Sequence, residues 1–335
     1  MVDMKLAQSK GFSFGTATKF MDFKDPRAMI QDAATLDPNA TVPAYMRTYA
    51  NPRIIEVLTA ERAYRKIAPE VKNGDFTTAF TQFRSIEFTG DTTPYGDYDG
   101  NGVSGVNTAF PVREQYRFQT TIKVGDLEQK MNAEAKIDLF AEKQKSAAIN
   151  IDIAFNKYAL YGVAGKAVYG LLNDPSLNAA ITPIVVNSTQ TKWEDKTANQ
   201  EMNDLNKLVA SLYTQAAGHI DDSTRTKLLV SPATLAAMNK LNDYGVSVKK
   251  MIADTYPNME IVVVPELYNA TLETSTMILL ADEILGQPTV EFGYADKYYA
   301  HEIVRDLSSW KQKVSAGTYG AIVQLPFAIG SMTGI

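Results

Sequence analysis

The stretch that decides the fold is Asp126–Tyr161, DLEQKMNAEAKIDLFAEKQKSAAINIDIAFNKYALY. No glycine or proline interrupts it before Gly162, so it reads as one helix of about 35 residues, roughly 50 Å long at 1.5 Å per residue. Asp126 with Gln129 offers a capping pair at its start. Its apolar positions include Leu127, Met131, Ile137, Phe140, Ala141, Ala148, Ile151, Phe155 and Tyr158. They drift around the helix instead of holding a strict heptad register, which argues against a coiled coil and for a long helix laid across a sheet.

Immediately upstream the period changes from helix to strand. Phe80, Ile86 and Phe88 share one parity, and Tyr116, Phe118, Thr120, Ile122 and Val124 alternate on the return side. Between these runs lies Thr89–Thr108, rich in Gly, Asp, Asn and Thr. The whole of 75–125 reads as a long β-hairpin with a large polar tip. Ordinary hairpin loops have about 2–5 residues, so a tip of this size needs something outside the hairpin to order it. Further upstream, residues 1–50 are punctuated by Gly11, Gly15, Pro26, Pro38 and Pro43 and read as an extended arm. Asn51-Pro52 then starts a helix that carries Ile54, Ile55, Leu58 and Ala63 and stops at Pro69.

Downstream of the long helix, Gly170-Leu171-Leu172-Asn173-Asp174-Pro175 is a turn sequence, and a polar loop follows to Thr197. Helices are expected from Thr197 to Gly218, from Ser231-Pro232 to about Leu241, and over Val248–Asp254. Lys227–Val230 reads as a short buried strand, and the apolar runs Ile261–Val264 and Met277–Leu280 read as central strands. Ser308–Phe327 reads as two strands around Gly317. No period of 20–50 residues marks a repeat protein.

Composition bounds the function. At 335 residues, 45% hydrophobic and 21% charged, the chain is a folded protein long enough for its own core. A formal charge of -5 argues against a strongly basic nucleic-acid binder. The absence of cysteine excludes disulfide scaffolds, cysteine nucleophiles and thiolate metal sites. The first residues lack the apolar run of a secretory signal, and no window has the roughly 18 consecutive apolar residues of a membrane span. The expectation is a soluble protein, cytoplasmic when made, without membrane association.

The motifs offer little chemistry. Asp97-Tyr98-Asp99-Gly100-Asn101-Gly102 matches the first half of a calcium loop, whose alternate carboxylates converge on one centre. Thr108 stands where the bidentate Glu belongs, however, and Asx-rich tips are also what exposed turns contain. Gly100-x-Gly102-x-x-Gly105 satisfies a dinucleotide pattern, but it leads into Pro111 and a strand where that function needs a helix N-terminus. His301-Glu302 is not continued to a second histidine, and His219 reads as structural. There is no nucleophile elbow and no phosphate-binding glycine loop. No catalytic residue, cofactor or metal ligand is assigned, and no enzymatic function is expected.

The order of elements resembles the major capsid proteins of tailed bacteriophages, whose Hong Kong 97-type fold is shared with encapsulin shells. The Gly170–Asn173 turn after the long helix, and Gly320-Ala-Ile-Val-Gln-Leu-Pro326 with the closing Thr333-Gly334-Ile335, are similar to that family's segments. The resemblance implies an α+β Hong Kong 97-like capsid fold: an N-terminal arm (1–50), an arm-proximal helix (51–74) and an extended hairpin loop (75–125). It further implies a peripheral domain with the spine helix (126–196 and 307–335) and an α/β axial domain (197–306). It implies a shell of hexamers and pentamers enclosing double-stranded DNA without sequence-specific binding, with scaffolding, portal and decoration proteins as further partners. Tyr95, Asp97, Tyr98, Asp99 and Asn101 at the loop tip would then contact a neighbouring subunit. An encapsulin-type compartment, or a calcium-dependent surface or adhesion protein using Asp97, Asp99 and Asn101, are the alternatives carried forward.

Overall fold

The computed structural model describes residues 62–98, 100–134, 138–186 and 191–335. The expected arm and the helix after Asn51-Pro52, up to residue 61, lie outside the described residues. The first described helix, α1 (Tyr64–Ile67), ends before Pro69 and is tied to the long helix by Tyr64 Oη and Arg65 Nη2, both donating to Asp152 at 3.0 and 2.6 Å. Five short or medium strands follow: β1 (Glu70–Lys72), β2 (Phe80–Gln82), β3 (Ser85–Gly90), β4 (Ser104–Ala109) and β5 (Val112–Glu114). β6 (Tyr116–Gly125) then leads into α2 (Asp126–Glu134) and α3 (Leu139–Tyr161).

The single long helix expected over 126–161 is therefore corrected to two. The residues themselves give the reason: the Asp138 carboxylate accepts the Ala141 amide at 3.2 Å and caps a new N-terminus. The expected Asp126–Gln129 cap is also corrected, by one residue. The Gly125 amide donates to Glu128 at 3.4 Å, while the Asp126 amide goes to the Ser308 carbonyl at 2.9 Å. α2 buries none of its side chains, whereas α3 buries Ala147, Ile151, Phe155, Ala159 and Leu160.

α3 packs on a mixed sheet of order β1-β13-β15-β14, with β6 also paired to β15; these later strands are β13 (Val290–Tyr294), β14 (Tyr299–Asp306) and β15 (Ser309–Val323). The alternation read in β6 is the cause. Phe118 meets Phe155 edge-on at 5.2 Å and Tyr158 at 5.1 Å, and Ile122 and Val124 complete the core with Val314, Ala316 and Phe292. β15 is one continuous strand, not the two expected around Gly317. Glycine is there for close approach: a Cβ on residue 317 would lie 2.5 Å from Gln115 Nε2.

The second sheet has order β16-β10-β7-β8, with β9 paired to β10. Its members are β7 (Thr226–Val230), β8 (Met259–Val263), β9 (Tyr268–Asn269), β10 (Thr274–Ala281) and β16 (Ile329–Thr333). β11 (Glu283–Ile284) and β12 (Gln287–Pro288) form a small separate ribbon. Leu229, Ile278, Leu280 and Ile329 join the core beneath α3, while Leu228, Val230, Met277, Leu279 and Met332 join a second core. That second core lies under α4 (Ala198–Ala216), α5 (Pro232–Ala237) and α6 (Val248–Thr255). Burial on both faces explains why β7 and β10 read as unbroken apolar runs. Ile261–Val264, expected to be central, instead supplies the edge strand β8, paired only to β7 among the described residues and with Val263 partly exposed. β13 and β14, which the reading of the chain grouped with 197–306, are hydrogen-bonded to β15, and β16 is hydrogen-bonded to β10.

A buried polar network holds the entry to α4. The Asp204 carboxylate accepts from the Ile184 amide at 2.7 Å, Trp193 Nε1 at 2.9 Å and Lys196 Nζ at 2.6 Å, with the Asp204 and Lys196 side chains fully buried. Glu201 beside it is also buried. Lys240 Nζ stands 3.0 Å from one of its oxygens, but neither oxygen receives a well-directed hydrogen bond from the described residues. Burial, only partly offset by Lys240, pushes Glu201 up to about 6.

Two outcomes follow. A Cβ on residue 170 would lie 2.4 Å from the Leu160 carbonyl, so Gly170→Ala should destabilise by about 2–4 kcal/mol in thermal unfolding, whereas Gly100→Ala, in open space, should stay within about 0.5 kcal/mol. The raised Glu201 stabilises most when protonated, and that contribution fades as pH climbs from about 4.5 through about 6. Glu201→Gln should therefore gain on the wild type by on the order of 1–2 kcal/mol between pH 4.5 and 7 in denaturant titrations.

Candidate assembly surface

β3 and β4 pair antiparallel from Ser85↔Ala109 to Gly90↔Ser104. The pairing carries the ribbon into the expected tip, so the loop is Asp91–Val103 and not Thr89–Thr108. Directly opposed residues share a face. One face therefore carries Ile86 and Phe88 against Thr108 and Val106, and the other carries Ser85, Glu87 and Thr89 against Ala109, Asn107 and Gly105. Glu87 and Asn107 are bonded at 3.4 Å across the polar face. Among the described residues nothing covers the apolar face: Phe88 is 84% exposed, and Ile86, Val106, Phe110 and Val112 are exposed as well. From Phe80 to Gly90 the ribbon reaches about 35 Å at 3.3 Å per residue.

The base of the hairpin is fixed where the tip is not. β2 and β5 pair Phe80↔Glu114 through Gln82↔Val112. Arg113 donates to Asp174 at 2.6 Å, with the carboxylate fully buried, and its guanidinium lies 4.7 Å from the Tyr169 ring. Lys166 pairs with Glu114, and the Glu114 amide donates to the Ala167 carbonyl at 3.1 Å. On the next turn of chain, Arg117 donates to the Phe76 and Thr78 carbonyls at 2.7 and 3.1 Å, and Phe76 stacks on Tyr299. Asp174 belongs to the turn that receives the end of α3. There the Asn173 side chain bridges the Gly170 amide and the Tyr161 carbonyl, both at 2.7 Å, and the Leu171 and Leu172 amides donate to Ala159 and Leu160. The hairpin is thus clamped to the C-terminal end of the long helix.

Of the residues singled out at the tip, Tyr95 and Tyr98 are 91% and 101% exposed, and Asp97 and Asn101 are exposed too. Asp99 lies outside the described residues. No cluster of three or more His, Asp or Glu side chains able to hold a metal occurs among the described residues. His301 Nε2 is 2.8 Å from Ser315 Oγ and edge-on to Tyr299, while His219 packs near Phe327. No described helix is long and apolar enough to cross a membrane. The Arg113–Asp174 clamp was not read from sequence. Its signal was an arginine inside a strand and an aspartate in a turn that otherwise buries leucine.

A clamped ribbon whose apolar face no described residue covers, beside a long helix on a five-stranded sheet, is a Hong Kong 97-like arrangement. The solved structures agree. The capsid of Myoviridae phage XM1 superposes with a TM-score of 0.73 at 11% identity, over 89% of this chain and 100% of that one. The capsid of a native GTA particle gives 0.61 at 12% identity, over 90% and 98%. A virus-like particle from Pyrococcus furiosus gives 0.51 at 14% identity, over 81% and 92%. No curated protein matches by sequence. The model of the Pa193 gp26 major capsid protein family matches residues 33–334, and the chain belongs to that family.

Removing one partner of a buried ion pair costs about 3–5 kcal/mol. Asp174→Ala should therefore lower the melting temperature and speed proteolytic cleavage within 80–114, read by mass spectrometry of the fragments.

Proposed function

We propose that this chain is the coat subunit of a tailed phage, assembling as hexamers and pentamers into an icosahedral shell that encloses double-stranded DNA. The observation that carries the reading is the apolar face of the β3–β4 ribbon, which no other part of the described chain covers. Burying a Phe, Ile or Val side chain is worth about 1.5–3 kcal/mol each, so a neighbour that covers this face gains several such increments. The polar tip with Tyr95, Asp97, Tyr98, Asp99 and Asn101 would complete that contact. The part built on β15 and α3 would serve as the peripheral domain, and the part under α4 as the axial domain at the five- and six-fold centres. A mildly acidic chain suits a shell that surrounds DNA without gripping each phosphate. Scaffolding, portal and decoration proteins would be its further partners in the virion.

An encapsulin-type compartment is the second reading, favoured by the fold shared with the Pyrococcus furiosus particle. The content of purified particles separates the two: nuclease-protected DNA supports the phage coat, and enclosed protein supports the compartment. The surface contact is tested by deleting Thr89–Thr108. The deleted subunit should keep its helical circular dichroism yet fail to form closed shells by electron microscopy. Normal shells from that deletion would overturn the assignment of the hairpin.

A further inference from the structure

The sequence holds two Asn-Gly pairs, Asn73-Gly74 and Asn101-Gly102. Such a pair has a chemistry of its own. The backbone nitrogen that follows an asparagine can attack that asparagine's side-chain amide, and glycine puts no Cβ in the way. The fold treats the two pairs differently. Asn73 continues β1, with its amide donating to the Tyr294 carbonyl at 2.9 Å and its Nδ2 shut away from solvent. Gly74 is held at φ +82°, where a Cβ would lie 2.9 Å from Thr78 Oγ1, and that oxygen also accepts the Asp75 amide at 3.1 Å. Ring closure needs the backbone to swing the glycine nitrogen toward the asparagine Cγ, and these contacts oppose it. Asn101 and Gly102 instead lie beyond the last rung of the ladder, Gly90↔Ser104. Both are exposed, and neither the Asn101 side chain nor the Gly102 amide is hydrogen-bonded among the described residues. A Cβ on residue 102 would approach nothing closer than 3.5 Å.

We propose that Asn101 is a site of spontaneous covalent modification, deamidating through a cyclic imide, while the fold preserves Asn73. The Gly102 nitrogen bonds to Asn101 Cγ, the Cγ–Nδ2 bond breaks, and the amide group leaves as ammonia with the Gly102 proton. Water then opens the ring at one of its two carbonyls. Cleavage on the side-chain side gives aspartate, and cleavage on the main-chain side gives isoaspartate, with the chain now running through the former side chain. Either product adds a carboxylate to a tip whose sequence already holds Asp91, Asp97 and Asp99. Isoaspartate also adds a backbone carbon between β3 and β4. The tip thus changes charge and length with time in solution.

The test holds the full chain in mildly alkaline buffer and maps tryptic peptides at intervals by mass spectrometry, with fragmentation to separate Asn101 from Asn107 in the same peptide. In the native chain Asn101 should convert on the order of tenfold faster than Asn73, and in concentrated urea the two rates should converge. Gly102→Ala should melt as the wild type does and slow conversion at residue 101 about tenfold. An Asn101 that stays intact, or equal conversion of both sites in the native chain, would overturn the proposal. A gap that persists in urea would overturn the protection assigned to the fold. One consequence rests on the shell reading: Asn101 should convert more slowly in assembled particles than in free subunits. Equal rates there would overturn the tip contact proposed above and leave this modification site standing.

Discussion

A two-stranded ribbon satisfies its own backbone hydrogen bonds but cannot bury its own side chains. That constraint governs this protein. Among the described residues β3 has only β4 beside it in the plane of the ladder and nothing above or below, so none of them shields Phe88 from water. An isolated hairpin of this kind is marginal, and it also presents a hazard of indiscriminate association. The chain meets both difficulties with one arrangement. The clamp of Arg113 on Asp174 fixes where the ribbon leaves the body, and the loss of freedom is taken before any neighbour arrives.

The clamp works because the body behind it is stiff. α3 lies on the sheet of β6 and β15, and the same core reaches the inner face of the second sheet through Leu229, Ile278 and Leu280. The residues between them, Leu228 and Leu279, feed the other core. Each of these strands is shared by two cores, so a shift in one is felt in the other. The turn at Gly170–Asp174 connects this body to the hairpin base, because it both ends α3 and supplies the buried carboxylate.

The features legible in the sequence were those set by period and punctuation. Alternation in β6, the absence of Gly and Pro through 126–161, and the turn at 170–175 each have a local physical cause, and their order is what resembled the capsid family. What was not legible depended on partners distant in sequence. Asp138 is the exception, with its partner only three residues away: inside a run free of Gly and Pro nothing marked its carboxylate as the cap of the Ala141 amide. Gly317 looks like a strand break until Gln115 is seen against it. β8 has the apolar run of a central strand, but its position at the sheet edge is decided by pairing order, which hydrophobicity does not encode. At the candidate surface, the exposed tyrosines of the tip were readable, whereas the Arg113–Asp174 pair needed the fold to bring it together.

The proposed contact buries the apolar face and tip of the hairpin against another copy. The chain has no cysteine, so single substitutions Phe88→Cys and Tyr98→Cys give thiols on a clean background. The most direct measurement is the rate of thiol labelling at each position in free subunits and in assembled particles. Burial against another copy predicts fast labelling in the free subunit and strong protection in the particle at both positions. Equal labelling of Phe88→Cys before and after assembly would contradict it.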